Sequence, residues 1–232
     1  MAILPHIELT TGEEPQGTVI VLHGLGADGW DFVPIVRELD IPEDLALRYI
    51  FPHAPERAVT INNGMEMPAW YDISVSDIAR MPDEAGIRES QAQVEEIIAR
   101  EVARGVPPRR IVLAGFSQGG AIALQTALRR NDPLGGVIAL STYLALEDSL
   151  AREATRASRG VPIFMAHGTQ DPVVPLQLAE ASAAALRTQG YEVDWHTYPM
   201  PHSVCPEEVT DISAFLERVF TGVQAKSSIL LP

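Results

Sequence analysis

The chain is predicted to fold as an α/β protein, with a mostly parallel sheet covered by helices on both faces. Three observations carry this reading. Short β-branched and aliphatic runs recur along the chain, and longer stretches of helical periodicity lie between them. No internal repeat and no low-complexity block interrupts the pattern. No apolar run reaches the roughly 18 residues a membrane-spanning helix needs. With 232 residues, 46% hydrophobic and 21% charged, the chain is long enough to bury one sizeable core without disulfides or a structural metal.

Taken in order, residues 18–22, 47–51, 111–115, 136–140 and 161–165 read as buried strands, the second of them stopped by Pro52. Residues 192–198 alternate polar and apolar side chains and read as an edge strand. Helices are predicted over 87–104, 118–130, 176–189 and 206–220. The first carries Val94, Ile97, Ile98 and Val102 as one buried stripe and is stopped by Gly105 and Pro107. The second is rich in small residues, the third closes on Gly190, and the fourth presents Val209, Ile212, Leu216 and Val219 on one face. Residues 52–82 show no period and are long for a connector, which suggests a lid or binding loop. Residues 1–220 are expected to form a single catalytic domain, and 221–232 a frayed tail.

A net charge of −14 argues against nucleic acid or an anionic membrane surface as partner, because both are polyanions. The lone cysteine, Cys205, excludes an internal disulfide, and the N-terminus lacks the basic and apolar regions of a secretory signal. A cytoplasmic location is expected.

In a parallel sheet, ligand sites lie at the carboxyl ends of the strands, so the chemistry is sought there. The strand at 111–115 runs into Gly115-Phe116-Ser117-Gln118-Gly119-Gly120 and then a helix. This is G-x-S-x-G in strand–turn–helix context, the nucleophile elbow of α/β-hydrolases. A serine hydroxyl needs a base, and the hydrolase order is Ser, then Asp or Glu, then His. Asp171 follows the strand at 161–165, and His202 follows the strand at 192–198. The expected triad is therefore Ser117, His202 as base and Asp171 as the acid that orients it.

Rivals are weaker. His23 and His167 also follow strands, but each precedes a glycine and reads as a loop-shaping histidine. His196 sits mid-strand and His6 near the N-terminus, while Asp148 and Asp194 lie within elements. Cys205 has no elbow of its own. The first strand ends in His23-Gly24-Leu25-Gly26, a glycine-rich loop suited to an oxyanion donor, with the second donor at the N–H of Gln118. Gly24 to Gly29 also matches a dinucleotide-binding G-x-G-x-x-G, but the acidic residue expected about 20 positions later is missing. The histidines show no metal-binding spacing, so neither metal nor cofactor is expected. In the 52–82 loop, Met65 and Trp70 are expected to form one wall of an acyl groove beside Ser117.

Together, Leu22-His23-Gly24-Leu25-Gly26, Gly115-Phe116-Ser117-Gln118-Gly119-Gly120, the run from His167 to Pro175 and Pro201-His202-Ser203-Val204 resemble the phospholipase/carboxylesterase family, with bacterial carboxylesterases looking most similar. Pro52-His53-Ala54-Pro55 and the run from Met67 to Asp72 add to the likeness, which spans roughly residues 10–220. The resemblance implies an α/β-hydrolase without a large cap, the same triad, and oxyanion donors at Leu25 and Gln118. It implies a carboxylesterase acting on short- to medium-chain acyl esters. An acyl-protein thioesterase or lysophospholipase is the alternative on the same triad. It also admits a homodimer. A non-catalytic binding protein would not need an intact triad, and a peptidase would want an insertion that the chain lacks.

Overall fold

The computed structural model describes residues 3–74 and 82–222. Its sheet has seven strands: β1 (His6–Thr10), β2 (Gly17–Leu22), β3 (Leu47–Pro52), β6 (Ile111–Phe116), β7 (Gly136–Leu140), β8 (Ile163–Gly168) and β9 (Val193–Tyr198). Their order is β1-β3-β2-β6-β7-β8-β9, and all neighbours are parallel except β1 against β3. A separate antiparallel hairpin joins β4 (Glu56–Val59) to β5 (Met65–Pro68). The helices are α1 (Glu84–Ala103), α2 (Gln118–Ala127), α3 (Glu147–Glu153), α4 (Leu176–Thr188) and α5 (Pro206–Thr221).

Strand alternation divides the core into two layers. Ile111 and Leu113 of β6 join the cluster holding Ile87, Val94, Ile97 and Ile98 of α1, Ala121 to Leu124 of α2 and Leu186 of α4. Val112 and Ala114 point to the other face, where Ile212, Phe215, Leu216 and Phe220 of α5 pack. Every residue of α2 is buried, consistent with a central helix between sheet and α1. No helix among the described residues is long and apolar enough to cross a membrane.

The differences from expectation have local causes. Val102 is 41% exposed, and Glu101 takes the buried place at the end of the α1 stripe. Seven residues at 3.6 per turn return to the face of Val94, whereas eight overshoot it. The buried Glu101 carboxylate is matched by Arg48 at 2.8 Å, Arg104 at 3.1 Å and the Thr18 hydroxyl at 2.9 Å. β8 begins at Ile163 and not at 161, because Pro162 has no N–H for the ladder. It extends through Gly168, paired with Tyr198. β1 and the β4–β5 hairpin were not expected, and the sequence pattern sets no bounds for α3, although Asp148 reads as lying within an element. The aperiodic 52–82 stretch therefore contains regular structure, although residues 75–81 lie outside the described ones. Helix α5 runs through Thr221 and ends on Gly222 in the left-handed conformation, φ 71°. The rest of the expected tail lies outside the described residues.

Candidate active site

The chain moves outward from β2 to β3 and then returns to β6 on the other side of β2. The strand order reverses there, and a crevice opens at the carboxyl edge. Ser117 stands on that edge, directly between β6 and α2. Its backbone has φ 53° and ψ −120°, a strained conformation for a residue with a Cβ. Three contacts hold it. Its N–H donates to the Leu140 carbonyl at 2.8 Å, its carbonyl accepts from the Thr142 hydroxyl at 2.6 Å, and the same carbonyl accepts from the Ala121 N–H at 3.2 Å. The flanking glycines are required by close approach. A Cβ on Gly115 would lie 2.3 Å from the Gly119 carbonyl, and one on Gly119 would lie 2.3 Å from the Leu22 carbonyl.

Asp171 and His202 are brought together by the loops after β8 and β9. The Thr169 N–H donates to Tyr198 O at 2.8 Å, and that of Gln170 to Met200 O at 3.1 Å. A Cβ on Gly168 would meet the Met200 and Pro201 carbonyls at 2.3 and 2.4 Å, so glycine is needed for the two loops to touch. The Asp171 side chain is fully buried. One carboxyl oxygen accepts the N–H groups of Val173 and Val174 at 2.8 and 2.9 Å. The other accepts from His202 Nδ1 at 2.6 Å. With its proton on Nδ1, His202 keeps its Nε2 lone pair for a base. The His202 ring packs on Phe116, the residue before Ser117, with centroids 4.7 Å apart.

The loop after β2 lies against this group. A Cβ on Gly24 would stand 3.6 Å from the Ser117 Cβ. The described backbone bonds of this loop use the N–H groups of Gly26, to Pro68 O, and Ala27, to Gly24 O; none uses that of Leu25. Gln118 opens α2, where the first N–H groups have no intrahelical partner. An open depression of about 520 Å³ adjoins the loop, lined by Gly26, Ala27, Asp28, Trp30, Asp31 and Pro68.

The rival residues have other work. His23 is buried, accepts the Ala54 N–H on Nε2 at 3.0 Å and donates from Nδ1 to Gly24 O at 2.7 Å. Burial lowers its pKa and favours the neutral ring that this pattern requires. His167 is buried and bonds Val174 O through Nε2 at 2.9 Å. His196 lies in β9 against Asp194, and Asp148 lies in α3. Burial pushes the Cys205 thiol up, against a reactive thiolate.

Of the two residues expected in an acyl groove, Met65 is 64% exposed at the start of β5. Trp70 is fully buried, and its indole N–H donates to His23 O at 2.8 Å. Its ring therefore braces the glycine-rich loop after β2 and offers no surface to an acyl chain. The contacts of Phe116, Thr142 and Gly168 were not anticipated, because their partners are remote in sequence.

Glu208, in the first turn of α5, is fully buried and neither carboxyl oxygen has a well-aligned hydrogen-bond partner. Burial pushes its pKa up to about 8; the Cys205 backbone opposes this in part, and Asp211 reinforces it. The folded value lies above the unfolded one, so between about pH 4.5 and 8 the folded state keeps a proton that the unfolded state has lost. Stability from this group therefore falls as pH rises through that window. Glu208→Gln should remove the slope, worth up to about 1.4 kcal/mol per pH unit. Denaturant midpoints at pH 5, 6.5 and 8 should show the variant gaining on wild type as pH rises. Parallel pH dependence would contradict a protonated Glu208.

Comparison with known proteins gives the family and the fold. The family model for phospholipase/carboxylesterase matches residues 6–220. An acyl-protein thioesterase 1 of Neurospora crassa is 42% identical, with 90% of this chain and 89% of that protein covered. One of Mycosarcoma maydis is 39% identical, with 90% and 93% covered. Among solved structures, Arabidopsis thaliana SOBER1 superposes with a TM-score of 0.82 at 30% identity, covering 88% of this chain and 98% of that one. Acyl-protein thioesterase 2 of Zea mays gives 0.79 at 25% identity, covering 93% and 99%. A mostly parallel sheet without a large cap, an elbow serine at its carboxyl edge and a family match over nearly the whole described chain lead to one assignment: the chain belongs to the phospholipase/carboxylesterase family and is a serine hydrolase of the α/β-hydrolase type.

Proposed function

We propose that the chain hydrolyses acyl thioesters carried on protein or peptide cysteines, through an acyl-enzyme on Ser117. The observation that supports the mechanism is the 2.6 Å bond between Asp171 and His202 Nδ1, with the His202 ring packed on Phe116, the neighbour of the strained Ser117. Ser117 Oγ adds to the acyl carbonyl carbon while its proton passes to His202 Nε2. The oxyanion meets the N–H groups of Leu25 and Gln118. The C–S bond then breaks, and the departing sulfur takes the proton from His202. Water repeats the sequence on the Ser117 ester, which releases the fatty acid and restores the serine.

The sequence reading placed oxoesters first and thioesters second, and the relatives named as acyl-protein thioesterases favour the second. The open depression beside the oxyanion loop offers room for a peptide leaving group. Exposed Met65 is the residue of the β4–β5 hairpin suited to an acyl chain.

A matched pair tests the reading: one peptide carrying octanoyl on cysteine sulfur, the other on serine oxygen. The expected kcat/KM ratio favours the thioester by about tenfold or more beyond its uncatalysed advantage, a difference of about 1.4 kcal/mol in transition-state binding. Preference for the oxoester, or turnover of small free esters alone, would make the chain a general carboxylesterase.

A further inference from the structure

The Gln118 side chain does something its backbone role does not explain. It is 2% exposed and faces the segment that follows β5. Its Oε1 accepts the Trp70 N–H at 2.7 Å, and its Nε2 donates to the Tyr71 carbonyl at 2.6 Å. The amide thus reads one backbone donor and one backbone acceptor, as a neighbouring strand would. Only a primary amide of this length supplies both. A glutamate would set an acceptor against the Tyr71 carbonyl, and a methionine would leave both backbone groups unmet.

The segment it grips leads onward to the second oxyanion donor. Ala69, Trp70 and Tyr71 are all buried. The Trp70 carbonyl accepts from the Ser90 hydroxyl, and the Trp70 indole N–H donates to the His23 carbonyl at 2.8 Å. The His23 ring in turn holds the Gly24 carbonyl at 2.7 Å. In a trans peptide the N–H points opposite to the C=O, so fixing the Gly24 carbonyl aims the Leu25 N–H.

We infer that the Gln118 side chain is a positioning residue of the oxyanion hole: by clamping Trp70 and Tyr71 it locks the Leu25 N–H to the same frame as its own backbone N–H. This rests on the proposed use of those two N–H groups. It adds that their relative placement is set by one amide acting through a buried tryptophan. The acyl-side hairpin is thereby rooted in the catalytic frame.

The test uses Gln118→Met, Trp70→Phe and the double variant. Trp70→Phe keeps an aromatic ring and removes the indole N–H. Three readouts are taken: kcat and KM on one thioester, the inhibition constant of an acyl trifluoromethyl ketone, and ¹⁹F NMR of that ketone's adduct. The adduct forms when Ser117 Oγ adds to the ketone carbon and its proton passes to His202, leaving a hemiketal oxyanion. Gln118→Met should lower kcat on the order of 10- to 100-fold with KM changed less than about threefold, and the ketone should weaken in proportion. Trp70→Phe should lose less in the same direction. The double variant should be little worse than Gln118→Met alone, because the two act in series. Unchanged ketone affinity in Gln118→Met would overturn the inference, and so would losses in the two single variants that multiply. If Gln118→Met does not fold, Trp70→Phe decides it: a proportional fall in kcat and ketone affinity supports the clamp, and none overturns it. If the wild-type ketone adduct does not form on Ser117, the proposed mechanism fails first and the clamp falls with it.

Discussion

Ser117→Ala is expected to lower turnover of any acyl substrate on the order of 10⁶-fold, the scale on which serine hydrolases lose activity when the nucleophile is removed. The reasoning is structural as well as chemical. Ser117 sits in a left-handed turn whose geometry is set by its neighbours: Leu140 and Thr142 hold its backbone, and Gly115 and Gly119 let strand and helix meet around it. Alanine has the same Cβ and meets the same backbone strain, so the variant should fold with a melting temperature close to wild type. Activity and stability are thereby separated. Substrate affinity should survive, because the loops that form the crevice do not depend on the hydroxyl. A loss of only a few-fold in a folded variant would place the nucleophile elsewhere.

Asp171→Asn is expected to cost on the order of 10⁴-fold in kcat, as the matching change does in the serine-protease triad. One Asp171 oxygen is occupied by the N–H groups of Val173 and Val174, and the other faces His202 Nδ1. An asparagine keeps its carbonyl toward the two backbone donors, which turns its NH₂ toward His202. That NH₂ can only donate, so His202 must accept at Nδ1 and carry its proton on Nε2. The ring then cannot take the Ser117 proton. The shape of the side chain is preserved, so the defect should appear in kcat with the fold intact. A mild phenotype would give the orienting role to another acid.

Much of this was legible in the chain. Five of the six parallel strands are runs largely buried on both faces, which announce themselves as apolar, and β9 shows the polar–apolar alternation of an edge strand. The proposed triad rests on the same kind of signal: the elbow motif singles out one residue, and strand ends followed by Asp and His mark the others. β1 was not legible: it reads His6-Ile7-Glu8-Leu9-Thr10, an edge strand whose Glu8 is neutralised by arginines 48, 100 and 104, all distant in sequence. The four-residue strands of the hairpin and the seven-residue α3 are too short to show a period. Trp70 illustrates the limit more sharply. An aromatic in an aperiodic stretch looks the same whether it lines a groove or braces a loop, and only the His23 carbonyl and the Gln118 amide, 47 and 48 residues away, decide the matter.

The central claim is that acyl transfer passes through Ser117, and covalent trapping of the nucleophile tests it most directly. Incubation with an octyl fluorophosphonate, in which the nucleophile's oxygen bonds phosphorus and fluoride leaves, followed by intact mass and peptide mapping, should give one phosphonyl adduct per chain, on Ser117. The adduct should be absent from Ser117→Ala and formed far more slowly in His202→Ala. A stoichiometric adduct on another residue, or none on a protein that still hydrolyses thioesters, would contradict the account.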